Sequence, residues 1–256
     1  MDVSGLLKKM VDKGASDLHL RVPSPPVLRI DGELEVMQDL PLVATKDVEM
    51  AFEHIATPEQ RSKLLKEMDV EFAYSVPGLA RFRVSAMRQR GTPSIAFRVV
   101  PFEVPTIDEL GAPDICKEVV LEPRGIILVT GANGSGKSTT MAAMINHLNK
   151  SMRSNVIIIE EPIEYLHGNE NCLIAQRDIG DDAKSLDNAL KHALHHDPDV
   201  IAIGDMAGLD TISTAIKAAE SGHLVMATMH TESAVQTIGR IIEVFPFEHQ
   251  SLVRLQ

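Results

Sequence analysis

The sequence of 256 residues contains no tryptophan, only two cysteines, and few aromatic side chains. Cys116 and Cys172 are too few for a disulfide framework, so we expect a reducing, cytosolic setting. Basic residues are fewer than acidic ones, 25 against 36, and the net charge of −11 excludes a general attraction for nucleic acid. No apolar run approaches the length of a membrane-spanning helix, and the first residues lack the features of a signal peptide. The composition therefore predicts one or two globular domains without a transmembrane segment.

Two halves with different patterns are visible along the chain. Residues 1–100 combine short alternating strands with three amphipathic helices, which predicts a small α+β domain built on a mostly antiparallel sheet. Asp31-Gly32 indicates a hairpin turn, and Thr57 before Pro58 indicates a helix start. Residues 101–113 contain three prolines and a glycine, and we interpret them as an interdomain linker.

The second half, residues 114–256, alternates strands with helices. Its strands are almost continuously apolar, which is typical of a parallel α/β sheet buried on both faces; we expect them at 125–130, 156–159, 200–203 and 224–228. A helical pattern over 247–256 has no stop signal, so we expect this domain to be truncated at its C-terminus.

A phosphate-binding loop is the strongest signal. Residues 131–138 match G-x-x-x-x-G-K-[ST], between a predicted strand and a predicted helix. Glycines allow a tight loop whose amides point at phosphate oxygens; Lys137 would reach the β- and γ-phosphates, and the Ser138 hydroxyl would bind Mg²⁺. The predicted cofactors are ATP and Mg²⁺, and the predicted nucleotide-binding residues of the loop are Gly131, Ala132, Asn133, Gly134, Ser135, Gly136, Lys137, Ser138 and Thr139.

Two acidic residues follow predicted core strands and should lie at the edge where ligands bind in open α/β sheets. We assign Asp205 to the metal and Glu160 to orienting or deprotonating water. Glu161 and Glu164 lie in the same loop as Glu160, and we expect both to be solvated or structural.

Five arginines lie within 18 residues, and on a strand Arg81 and Arg83 share one face. Such a stripe indicates either a phosphate partner or an ordinary solvated strand face. His223 and His230 flank the last predicted strand and, judged by the residues alone, fit either a functional role or a core position.

Several motifs in order resemble the type IV pilus retraction ATPases of the secretion ATPase superfamily, over essentially the whole chain. The matching segments are 15–20, 78–84, 131–138, 159–164, 197–206 and 219–231.

This resemblance implies a hexameric ring motor with a PAS-like N-terminal domain and a RecA-like P-loop ATPase domain. The motor would hydrolyse ATP to drive pilus retraction and twitching motility, acting on an inner-membrane platform protein from the cytoplasmic face. It further implies that Glu160 is the catalytic glutamate and that His223 and His230 form a nucleotide-sensing box, with His230 catalytic and His223 binding nucleotide. Among the arginines, Arg81 and Arg98 are the predicted fingers that complete a neighbouring site.

The chain departs from the family pattern at several positions. The family usually has Glu at the position of Asp205, an Arg and an Asp at Ala207 and Gly208, and an Arg at the position of His195. These departures motivate a second hypothesis, a nucleotide-binding regulatory or assembly subunit of a pilus or secretion system with little ATP turnover. A third, a P-loop small-molecule kinase, has no identifiable acceptor site.

Overall fold

The computed structural model describes residues 1–101, 103–248 and 250, and it divides the chain into two compact units after Pro101. The division falls at the start of the predicted linker. Within that linker, Ile107 is only 2% exposed and packs in a core of the second unit. Most of the predicted helix over 247–256 lies outside the described residues.

The first unit is an antiparallel sheet with helices packed on it, as the sequence predicts. Its six strands follow the order β3-β2-β1-β6-β5-β4. The elements are α1 (Val3–Asp12), β1 (Asp17–Leu20), β2 (Val27–Ile30), β3 (Glu33–Val36), α2 (Thr45–Ile55), α3 (Pro58–Glu67), β4 (Asp69–Val76), β5 (Ala80–Gln89) and β6 (Thr92–Val100).

Local chemistry explains several boundaries in this unit. Thr57 caps α3 by accepting a hydrogen bond from the Gln60 amide, and the Gln60 side chain accepts one from the Thr57 amide. Asp31 and Gly32 have φ angles of 49° and 86°, which suit the tight turn between β2 and β3. Along β5 burial alternates, so Phe82 faces the core.

The second unit is a parallel sheet with helices on both faces. Its strand order is β7-β11-β10-β8-β9, and all pairs are parallel. The elements are α4 (Ile115–Val119), β7 (Gly125–Thr130), α5 (Lys137–Ser151), β8 (Asn155–Glu160), β9 (Leu173–Asp178), α6 (Leu186–Ala193), β10 (Val200–Ile203), α7 (Leu209–Glu220), β11 (Leu224–Met229) and α8 (Ala234–Val244).

The central strands of this sheet are buried on both faces because each face has its own core. Ile158 of β8 packs in the cluster that includes Met144 and Ile145 of α5. Its neighbours Ile157 and Ile159 pack in the other cluster, with side chains of α6 and α7. Since the strands are parallel, their carboxyl ends meet at one edge, where loops can form a ligand site. Among the described residues, no helix has the length and apolarity needed to cross a membrane.

Candidate nucleotide-binding site

The phosphate-binding loop connects β7 to α5 at the carboxyl edge of the sheet, as predicted. Gly136 precedes the helix with a φ of 91°, a conformation that favours glycine. A Cβ at Gly131 would lie 2.5 Å from the Ser135 hydroxyl oxygen and 3.3 Å from the Ser135 Cβ, so a larger residue there would require the Ser135 side chain to move. The free amides of the first turn of α5 and its positive dipole end are suited to phosphate.

A cavity of about 600 Å³ lies over this loop and the ends of β8, β10 and β11. It brings together most of the side chains that the sequence assigned to nucleotide, metal and catalysis. Its lining includes Asn133, Gly134, Gly136, Lys137, Ser138, Thr139, Glu160, Glu161, Glu164, Gly204, Asp205, Ala207, Gly208, Thr228 and His230. Gly131, Ala132 and Ser135 shape the loop and are outside this lining.

Lys137, His230 and Asp205 form a short polar chain across the cavity. Lys137 is 8% exposed; its ammonium group donates to the Ala132 carbonyl at 3.0 Å and lies 3.3 Å from Nδ1 of His230. Because an ammonium group can only donate, Nδ1 of His230 is the acceptor and Nε2 carries the proton. Nε2 lies 3.6 Å from the Asp205 carboxylate. The predicted catalytic histidine therefore lies between the lysine of the phosphate-binding loop and the predicted metal ligand.

Glu160 ends β8 and points into the cavity from a buried position, with 8% of the residue exposed. Burial, followed by the negative charges of Glu164 and Asp178, raises the pKa of Glu160 to about 8. The end of β10 lies close behind it: a Cβ on Gly204 would meet the Glu160 Cα at 3.2 Å. Glycine at 204 thus allows the two strand ends to approach closely.

Glu164 is solvent-exposed, as we expected, and it also lies at the cavity. Its carboxylate accepts a hydrogen bond from the Ser138 hydroxyl at 3.1 Å and lines the cavity. The next residue, Tyr165, lies 3.0 Å from the Thr139 hydroxyl, oxygen to oxygen. Sequence reasoning missed this because the loop after β8 has no periodicity that relates it to α5.

The cavity chemistry fits magnesium. The hydroxyl of Ser138 and the carboxylates of Glu164 and Asp205 are hard oxygen ligands of the kind that Mg²⁺ prefers. Among the described residues, no group of three or more His, Cys, Asp or Glu side chains is arranged to hold a metal. A shell of few protein ligands completed by phosphate and water is usual for Mg²⁺ at nucleotide sites.

Three predicted residues lie elsewhere. His223 precedes β11, at the opposite edge of the sheet from the cavity, where Nδ1 lies near Ser221 Oγ and the Ala218 carbonyl. Arg81 and Arg98 belong to the first unit, and Nε of Arg98 donates to the buried Asp17 carboxylate at 2.8 Å. His223 therefore lies away from the cavity within the second unit, and the roles of Arg81 and Arg98 stay predictions.

The parallel sheet, the phosphate-binding loop and the acidic residues at its edge define a P-loop ATPase. Residues 3–246 match the family described as Type II/IV secretion system protein, and the chain belongs to this family. The predicted family, the α/β fold class and the prediction of an ATPase are thereby confirmed.

Individual relatives and solved structures agree with this assignment. The chain is 43% identical to the "Type IV pilus retractation ATPase PilT" of Pseudomonas aeruginosa, over 99% of this chain and 74% of the relative. It is 40% identical to the "Twitching motility protein" of Neisseria gonorrhoeae, over 90% of this chain and 61% of the relative. A crystal structure of the pilus retraction motor PilT with bound ADP superimposes with a TM-score of 0.93 at 41% identity, covering 99% of this chain and 74% of that one. The Legionella pneumophila ATPase DotB gives a TM-score of 0.84 at 27% identity, over 97% and 70%.

Proposed function

We propose that this chain is an ATP-hydrolysing subunit of a hexameric motor that powers type IV pilus retraction. Its similarity to a pilus retraction ATPase and to a twitching motility protein supports the process. A solved relative described as a pilus retraction motor with bound ADP supports the nucleotide. The observation that carries the proposal is the convergence of Lys137, Ser138 and Glu160 on one cavity.

The chemistry would be divided among these residues. Loop amides and Lys137 would hold the phosphates, and Ser138 would bind the Mg²⁺ that neutralises charge on them. Glu160 would accept the proton of the attacking water. Only the ionised form of Glu160 can accept a proton, and with a pKa of about 8 this form becomes more abundant as the pH approaches 8. A base whose pKa lies near the operating pH is the most effective one. His230, between Lys137 and Asp205, is placed to respond to phosphate at Lys137.

Substitution of Glu160 and Lys137 separates binding from hydrolysis. Glu160→Gln is expected to leave ATP affinity within about threefold and to lower steady-state phosphate release by about 100-fold or more, because general-base catalysis contributes that much. Lys137→Ala is expected to abolish saturable ATP binding. Labelled-nucleotide titration and a phosphate-release assay give the two readouts. Unchanged turnover in Glu160→Gln would exclude Glu160 as the base.

The second candidate, a regulatory or assembly subunit with little turnover, is favoured by the uncharged Ala207 and Gly208 in the cavity lining. The same assay separates the two functions. A motor requires turnover by the unaltered chain far above that of Glu160→Gln. Equal turnover with normal ATP affinity would support the regulatory subunit.

Assembly and location belong to the proposal as well. We expect six copies to form a ring at the cytoplasmic face of the inner membrane and to act on a membrane-embedded platform protein. Arg81 and Arg98 are the proposed arginine fingers, and His223 is proposed to sense nucleotide from outside the cavity. In Arg98 the Nε contact to Asp17 leaves the terminal amines of the guanidinium available, and 65% of the side chain is exposed.

A further inference from the structure

The acidic side chains of the nucleotide cavity have different partners. Glu164 contacts the P-loop serine, since its carboxylate accepts the Ser138 hydroxyl hydrogen bond at 3.1 Å. Asp205 lies 3.6 Å from Nε2 of His230. Ser138 is the serine that would bind Mg²⁺. The carboxylate in contact with it is therefore that of Glu164, in the loop after β8.

Glu164 also contacts the proposed general base. Its backbone N–H favours the charged form of the Glu160 carboxylate and so lowers the pKa of that group, while its side chain accepts a hydrogen bond from Ser138. One residue thus joins the group that would take the proton from water to the hydroxyl that would bind the metal. This double contact places the Glu164 carboxylate at the boundary between the phosphate-binding loop and the end of β8.

The loop that carries Glu164 is fixed along α5 by further hydrogen bonds. Tyr165 contacts Thr139 near the start of the helix. Near its end, the Asn149 side chain donates to the Gly168 carbonyl at 2.8 Å and accepts from the Glu170 amide at 3.2 Å. Because the loop is attached to α5 at both ends, the position of Glu164 relative to Ser138 is set by the fold.

Asp205 contacts His230, whereas Glu164 contacts Ser138. Nδ1 of His230 accepts from Lys137, so its Nε2–H is directed to an acceptor, and Asp205 is the carboxylate within 3.6 Å. At 3.6 Å the contact is longer than a hydrogen bond, and the negative charge of Asp205 attracts the Nε2–H and so favours this tautomer. Asp205 is thereby suited to orienting His230 toward Lys137.

We infer that Glu164, together with Ser138, is the carboxylate that serves the Mg²⁺ of bound nucleotide, and that Asp205 chiefly orients His230. This inference rests on the proposed function, because it takes the nucleotide to bind as its magnesium complex. It replaces our assignment of the metal to Asp205 and names a residue of the loop after β8.

A magnesium titration of nucleotide binding tests the inference. The affinity of the unaltered chain for a fluorescent, non-hydrolysable ATP analogue is measured in EDTA and at increasing Mg²⁺. For Glu164→Gln, the half-saturating Mg²⁺ concentration is expected to rise about 10-fold or more, as it does when a carboxylate that supports a metal site is removed. For Asp205→Asn the half-saturating Mg²⁺ concentration is expected to stay within about twofold of that of the unaltered chain. A rise for Asp205→Asn equal to or greater than that for Glu164→Gln, or no rise for Glu164→Gln, would overturn the inference.

Glu170→Gln is the matched control, since it removes the same charge from the same loop outside the nucleotide cavity. Analogue affinity in EDTA equal to that of the unaltered chain shows that a variant is folded. Should Glu164→Gln not fold, Glu164→Asp withdraws the carboxylate by one methylene, and the same rise is expected. The titration does not depend on hydrolysis. A result that contradicts the role of Glu164 therefore does not contradict the proposed ATP turnover, and the titration can be interpreted even if the chain does not hydrolyse ATP.

Discussion

Glu160 is an acidic side chain in a buried position, and this combination is uncommon in proteins. Burial disfavours its charged form, and the nearby carboxylates of Glu164 and Asp178 disfavour it further. The pKa in the folded chain is about 8, above the ordinary value of 4.5. Folding therefore keeps a proton on Glu160 across a pH range in which the unfolded chain has released it.

This proton makes the stability of the ligand-free chain depend on pH. Between about pH 4.5 and pH 8 the folded state binds the extra proton, so the contribution of Glu160 to the free energy of unfolding falls as pH rises. Glu160→Gln removes this contribution. The stability of the variant relative to the unaltered chain is expected to increase by a few kcal/mol from pH 5 to pH 8. Urea unfolding at several pH values measures this, and a difference independent of pH would contradict it.

At the scale of elements, the site depends on how closely the ends of β8 and β10 approach. A Cβ at Gly204 would lie 3.2 Å from both Cα and Cγ of Glu160, and the backbone atom cannot move without shifting the strand. Gly204 also accepts a hydrogen bond from the Thr228 hydroxyl of β11. The absence of a side chain at 204 therefore matters for the approach of β8, whereas the carbonyl contact with β11 could be made by any residue.

Gly204→Ala is accordingly expected to destabilise the chain by about 1–3 kcal/mol, the usual cost of inserting a methyl group into a packed site. Turnover is expected to fall as well, because Glu160 is displaced. Thermal unfolding and phosphate release report the two effects. Gly168→Ala is the control, since its Cβ would meet no atom within 4 Å. If Gly204→Ala and Gly168→Ala had the same stability and the same turnover, the close approach of Gly204 to Glu160 would be unimportant.

Elements differ in how far the sequence reveals them. The central strands of the second unit were predicted because they are buried on both faces and therefore continuously apolar, as in β10. β9 was missed: this edge strand, Leu173–Asp178, mixes exposed and partly buried residues, so it lacks that signal. The phosphate-binding loop was predicted because its chemistry is local. The contact between Glu164 and Ser138 was not predicted, because it joins residues 26 positions apart and no local pattern encodes it.

For the whole molecule, the division after Pro101 has a physical basis in the distribution of apolar side chains. One core cluster, from Val3 to Phe97, lies entirely in the first unit. The other two clusters, which cover the two faces of the parallel sheet, lie in the second. No hydrogen-bonded ladder among the described strands joins the two sheets. Each unit therefore contains what a domain needs to fold on its own.

A fragment of residues 1–101 is expected to fold cooperatively by itself, because its six strands pair only with one another and its core is complete. Its thermal unfolding should be a single transition with an enthalpy of about 60–80 kcal/mol, typical of a domain of this size. Phe97→Ala is the control, since Phe97 is 0% exposed and its truncation should cost about 3–5 kcal/mol and lower the midpoint sharply. A gradual transition whose midpoint does not change on Phe97→Ala would mean that the first unit depends on the second for its structure. The chain would then divide after Pro101 into two compact units that are not independently stable.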